Sequence, residues 1–133
     1  MKQEVEGGCL CAAVRYRVLG QPLYSAICHC STCRRAAASA AVAWLTFERD
    51  RFRLLSGTPR VFQSSPGVLR SFCEHCGSPL TYRSDLRPSE IDVTAVSLDD
   101  PTLFPPTREV WLQHRLAWQP LSVQLEHFLN GGD

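Results

Sequence analysis

Seven cysteines fall in three tight groups: Cys9 with Cys11, then Cys28, Cys30 and Cys33, then Cys73 with Cys76. Neighbours separated by one or two residues make poor disulfide partners for each other. As thiolates they are the ligands by which a chain grips a soft metal, and in a compartment that keeps thiols reduced this spacing favours zinc over disulfides. A fold built on this sequence must therefore bring short, sequence-local thiol groups to a few points.

The chain of 133 residues is expected to form one domain, residues 1–133, within the size range where a bound metal adds much of the stability. A formal net charge of +1, with both signs scattered along the chain, offers no basic stripe for nucleic acid, which is not expected as a partner. No apolar run approaches the ~20 residues of a membrane span, so no membrane association is expected. The N-terminal MKQEVEGG has no apolar signal core, and the expected location is the cytoplasm. Lys2 is the only lysine, so a Schiff-base attack on a carbonyl is excluded as a mechanism.

Short segments rich in β-branched and aromatic residues recur between turn signals, which predicts an all-β, mainly antiparallel fold with short helical segments. Strands are read at 13–18, 24–27, 40–47, 52–55, 60–63, 68–72, 80–82, 91–96 and 109–112. A helical turn is read at 35–41 and a helix at 122–130, where Val123, Leu125, Phe128 and Leu129 precede Gly131.

A Cys-x-Cys pair on a strand presents both thiolates on one face, because side chains alternate. Cys73-Glu74-His75-Cys76-Gly77 reads as a tight knuckle, with Gly77 free to take a positive φ. Cys9, Cys11, Cys73 and Cys76 would then close a four-sulfur structural zinc site. Cys28-His29-Cys30-Ser31-Thr32-Cys33 offers three thiolates and no fourth cysteine. Three protein ligands leave one coordination position open, which is the mark of a catalytic zinc. Four plus three uses every cysteine and predicts two zinc ions per chain. Two other arrangements stay open on spacing alone: a ribbon of Cys30, Cys33, Cys73 and Cys76, and a middle site closed by His29, His75 or His114.

The order of these clusters, with CHCSTCR, then FCEHCGSPL, a DVTAVSLDDP strand and turn, and a late VWLQHRLAW segment, resembles the glutathione-dependent formaldehyde-activating enzyme family, which includes centromere protein V. The resemblance runs from about Val5 to Trp118. It implies a β-tent fold, a structural zinc on Cys9, Cys11, Cys73 and Cys76, and a second zinc on Cys28, Cys30 and Cys33. The family often has glycine after the first Cys-x-Cys, a Gly-Ser step after the arginines and a histidine before the late aromatic strand. Here those places read Ala12, Ala38-Ser39 and Glu109.

Zinc on three thiolates carries a net charge of about −1 and acidifies water less than a three-histidine site does, so hydrolysis is not its natural task. Holding a thiol as thiolate at neutral pH suits it better, since a free thiol of pKa ~8.5 is mostly protonated there. The expected activity is a carbon–sulfur lyase: reversible addition of a thiol to a small aldehyde, with glutathione and formaldehyde implied by the resemblance. Arg34 and Arg35 follow the third ligand and would meet the substrate's carboxylates, or else one would be solvated and the other packed on a neighbouring loop. His29 should point away from the metal, towards the surface or a ligand's outer side, and His75 should be exposed. Trp44, Trp111 and Trp118 read as core or pocket lining. The competing reading from another class is a non-catalytic zinc module that binds a protein or nucleic-acid partner.

Overall fold

The computed structural model describes residues 3–132, so Lys2 lies outside it. In chain order the elements are β1 (Glu4–Gly8), β2 (Arg15–Leu19), β3 (Tyr24–Cys28), α1 (Ser31–Ala37), β4 (Val42–Glu48), β5 (Phe52–Ser56), β6 (Arg60–Ser65), β7 (Val68–Phe72), β8 (Pro79–Ser84), β9 (Glu90–Thr94), β10 (Arg108–Val110) and β11 (Glu126–His127). Each segment read as a strand overlaps one of these. The strands form a small sheet in the order β1-β2-β5 and a large one in the order β11-β10-β3-β4-β9-β8-β7-β6. All pairings are antiparallel except those of β10, which runs parallel to both β3 and β11. Among the described residues no helix is long and apolar enough to cross a membrane.

Alternation along β4 divides the large sheet into two faces. Leu45 and Phe47 join Tyr16, Val18, Leu80, Ile91 and Val93 in a core clamped between the two sheets. Val42 and Trp44, one position out of phase, join Cys28, Cys33, Val110, Trp111 and Phe128 on the opposite face, where α1 lies. The thiol groups are divided likewise: Cys9 and Cys73 belong to the inter-sheet core, Cys28 and Cys33 to the outer face.

Both expected helices are corrected. The real one starts four residues before 35–41, because the Cys30 thiol serves as its N-cap and accepts the Cys33 N–H at 3.3 Å. It stops at Ala38, which takes the left-handed conformation at φ 50° and donates its N–H to the carbonyls of Arg34 and Arg35. The C-terminal segment is not helical. Glu126 N–H donates to Thr107 O, Phe128 N–H to Glu109 O and Leu112 N–H to Phe128 O, so it lies along the open edge of β10. A nine-residue helix has little stability of its own, whereas a bare sheet edge supplies partners at once. Only Phe128 of its apolar residues packs inward, and Val123 and Leu129 stay exposed.

Candidate metal centre

Two turns bring together the sulfurs of the four-cysteine group. β1 ends at Gly8, so Cys9 and Cys11 are not on a strand as the alternation argument supposed. They meet in a turn closed by Ala12 N–H to Cys9 O, in which Val14 N–H donates to Cys9 Sγ at 3.2 Å. The β7–β8 connection forms the matching knuckle: Gly77 N–H donates to Cys73 O, His75 N–H to Cys73 Sγ, and Gly77 adopts φ 77°. The four thiols converge with their sulfurs all within 4.8 Å of one another. This group fastens the β1–β2 turn of the small sheet to a hairpin of the large one, with Cys73 0% exposed.

Cys28, Cys30 and Cys33 form the second group, again within 4.8 Å. Cys28 closes β3, Cys30 caps α1 and Cys33 stands in its first turn, so a strand end and a helix start supply all three. Among the described residues no histidine nitrogen or carboxylate oxygen completes this group. The geometry pairs the cysteines four plus three, and the Cys30-Cys33-Cys73-Cys76 ribbon is not formed.

The donor sets fit a tetrahedral ion. Sulfurs bound at about 2.3 Å around one such ion stand about 3.8 Å apart. The separations are 3.7 Å for Cys9–Cys11, Cys11–Cys73 and Cys28–Cys33. The thiols of each group are not alike before any ion binds. Hydrogen bonds from Cys28 and Cys33 hold the Cys30 thiol far below the ordinary range, and the same bonds, with burial, push Cys28 up. Cys33 is lowered by its bond with Cys28, but Cys30 and burial outweigh this and leave it raised. In the four-sulfur group, hydrogen bonding to Ser78, at 3.2 Å from its hydroxyl, brings Cys76 down to about 5.

The histidines read as candidate ligands lie elsewhere. His29 is 0% exposed, and its Nε2–H donates to Glu109 Oε1 at 2.8 Å. It is thus turned from the thiols and is not at the surface. Glu109 is buried too, and its other oxygen accepts the Ser122 N–H at 2.7 Å, linking the C-terminal segment to His29, which stands between Cys28 and Cys30 in the chain. His75 is exposed at the knuckle tip, and His114 gives its carbonyl to Arg34. Arg34 is spent on backbone, with Nε on His29 O at 3.3 Å and Nη2 on His114 O at 3.2 Å. Arg35 is exposed. Both arginines line a shallow open depression of about 450 Å³ with Ala38, Ser39, Leu116 and Trp118. Trp44 and Trp111 pack beside the three-cysteine group, whereas Trp118 is 72% exposed.

Sequence reasoning missed one contact of this group altogether. Arg70, on β7, is buried and reaches Cys33 Sγ with Nη1 at 3.7 Å and Nη2 at 3.6 Å. The arginine stands 37 residues from that cysteine in sequence, and no local spacing signals the meeting.

Comparison with known proteins decides the lineage. Residues 4–114 match the family description "Glutathione-dependent formaldehyde-activating enzyme". The chain belongs to this family. A Halomonas elongata protein provisionally named as such an enzyme is 30% identical over 125 residues, covering 86% of this chain and 78% of that protein. A Schizosaccharomyces pombe protein named as an uncharacterised lyase is 29% identical over 79 residues, covering 59% of this chain and only 57% of its own length. A crystal structure of a Rhodobacter sphaeroides protein shares the fold, with a TM-score of 0.61 at 24% identity over 77% of this chain and 99% of that one. All seven cysteines of the two groups lie inside the family match.

Proposed function

We propose that this chain is a zinc-dependent carbon–sulfur lyase, acting as one domain over residues 1–133 in the cytoplasm, that adds a glutathione-like thiol reversibly to a small aldehyde such as formaldehyde. The observation that carries this reading is the three-cysteine group with no fourth ligand within reach among the described residues, in a chain of this family. Cys9, Cys11, Cys73 and Cys76 would hold a structural zinc, and Cys28, Cys30 and Cys33 a second one. Bound there, zinc would supply the Lewis acidity that keeps an incoming thiol deprotonated at neutral pH.

The protein's own residues supply placement. Trp44, Trp111 and Phe128 wall one side of the group with apolar surface and limit water there. Arg34 and Arg35 stand at the rim of the adjacent depression, where Arg35 is free to meet a carboxylate of the thiol substrate. In the addition, the sulfur forms a bond to the carbonyl carbon, the carbon–oxygen double bond becomes single, and the proton lost by the thiol ends on that oxygen. The reverse cleaves the carbon–sulfur bond of the S-hydroxyalkyl adduct.

Exchange-sensitive NMR on an equilibrated mixture of formaldehyde and glutathione tests this reading. The zinc-loaded protein should accelerate exchange between free and adduct forms, and Cys30→Ser should abolish the acceleration while staying folded. No acceleration across several thiols and aldehydes would refute it and leave a partner-binding zinc module in its place.

A further inference from the structure

Tyr82 on β8 lies between two guanidinium groups, with the Arg70 carbon 4.8 Å and the Arg87 carbon 5.9 Å from the ring centre. Their surroundings are opposite in kind. Arg87 is fully paired, with Asp92 at 2.7 Å and Glu90 at 2.8 Å. Arg70 is the more buried, at 9% exposure, and among the described residues no carboxylate lies within ion-pair distance of it. Its Nε donates to Ser64 Oγ at 3.0 Å, Nη2 also reaches Thr32 Oγ1 at 3.5 Å, and both terminal nitrogens face Cys33 Sγ.

A guanidinium withdrawn from water without a negative neighbour is costly, and an arginine cannot shed its charge to escape. The fold keeps Arg70 there, so the neighbouring sulfurs must carry the compensating charge. Three thiolates and one divalent ion sum to about −1, and one arginine brings the assembly to about zero. The Ser64 bond and the Tyr82 ring hold the fork in place, so its aim at Cys33 is built in.

We propose that Arg70 is the counter-charge of the three-cysteine metal group and the positioning residue of Cys33. The inference rests on the reading of that group as a metal site, and it adds a residue and a task. Arg70 draws charge from the Cys33 sulfur, which keeps this ligand from acting as a nucleophile and offsets the mutual repulsion of three anionic sulfurs held close together. Aldehyde is an electrophile, and an unshielded ligand sulfur would compete with the substrate thiol for it.

The test follows transfer of Zn²⁺, and of Co²⁺ exchanged for it, from the full-length metal-loaded protein to a graded competing chelator, for the native chain, Arg70→Gln and Arg70→Lys. Partners of ligand residues typically contribute 10- to 100-fold to metal affinity, so Arg70→Gln should weaken the three-cysteine site by about 10- to 100-fold. The four-sulfur site, which Arg70 does not touch, should be unchanged. Arg70→Lys keeps the charge but loses the fork and should fall between the two; it stands in if Arg70→Gln does not fold. In the Zn²⁺-loaded variants, iodoacetamide labelling followed by peptide mapping should show alkylation of Cys33 rising relative to Cys28 and Cys30. Unchanged affinity at the three-cysteine site, or equal weakening at both sites, overturns the proposal. Neither readout uses aldehyde or thiol substrate, so an inert protein with the Arg70 effect would refute the enzymatic reading alone, and an active one without it this inference alone.

Discussion

Replacing one ligand in each metal group should have unequal consequences, and the inequality can be worked from chain topology. Cys11 and Cys73, joined through the four-sulfur group, are 62 residues apart, whereas Cys28 and Cys33 are 5 apart. Treated as a cross-link that restricts the unfolded chain, a closure of 62 residues contributes about 4 kcal/mol and one of 5 residues about 2 kcal/mol. Cys73 is 0% exposed in the inter-sheet core, so a serine there also buries a hydroxyl, at a further cost of about 1–3 kcal/mol. Cys73→Ser should thus lose about 5–7 kcal/mol, which reaches the lower end of the ~5–15 kcal/mol that holds a domain folded. Cys30→Ser sits partly exposed on the outer face and should lose no more than about 2 kcal/mol, a fall in Tm of roughly 6–10 °C for a chain of this size. Calorimetry together with metal content by elemental analysis checks both. Cys30→Ser should stay folded with one metal ion fewer, and Cys73→Ser should unfold or lose at least twice as much stability. Equal losses, or an unfolded Cys30→Ser, would refute the division into a fold-holding site and a site that the fold can do without.

Ala12 and Ala38 carry left-handed backbone at φ 66° and 50°. Left-handed backbone costs a residue with a Cβ about 1–2 kcal/mol, and glycine returns part of that through its unfolded freedom, so Ala12→Gly and Ala38→Gly should each raise stability by about 0.5–1 kcal/mol in urea unfolding; a fall in either would contradict the conformational argument. Metal affinity at the three-cysteine group should rise with pH. In the metal-free form Cys30 is lowered and already a thiolate, while Cys28 and Cys33 are raised and protonated, so binding at neutral pH releases about two protons and affinity gains about two decades per pH unit. Affinities measured at pH 6, 7 and 8 that do not change would contradict this. Glu109→Ala strands His29 in the interior and releases the Ser122 N–H, and should cost about 3 kcal/mol, with limited proteolysis newly cutting within residues 119–130; an unchanged digest would show that the carboxylate does not anchor that segment.

How much of this was legible in the sequence depended on range. The two cysteine groups were readable because chelation by short local segments leaves one or two residues between ligands, and that local pattern survives even when its assumed backbone is wrong. Cys9 and Cys11 sit in a turn rather than on a strand, yet they belong to the group their spacing suggested. Ala12 and Ala38 show the converse case. Their places were marked by the family's glycines, and the backbone there is left-handed although neither residue prefers it. The C-terminal segment was misread because its apolar spacing fits a helix, while the factor that decided its state, an open edge on β10 with Glu109 ready to accept Ser122, lies thirteen and more residues away.

Charge balance is the hardest property to read, because nothing in chain order says which arginine meets which anion. Arg34 and Arg35 are adjacent to a ligand and so looked like the charge partners of the thiolates, but Arg34 is spent on the carbonyls of His29 and His114 and Arg35 is exposed. Arg70 is distant in sequence and opposite the cluster in space, because the β7–β8 register places it beside Tyr82 on the sheet face that α1 covers. A ligand set made of three anions needs a cation somewhere in its surroundings, since the ion alone leaves it negative. Once the fold is known, a buried arginine without an acid therefore points to a thiolate site as directly as the cysteines do.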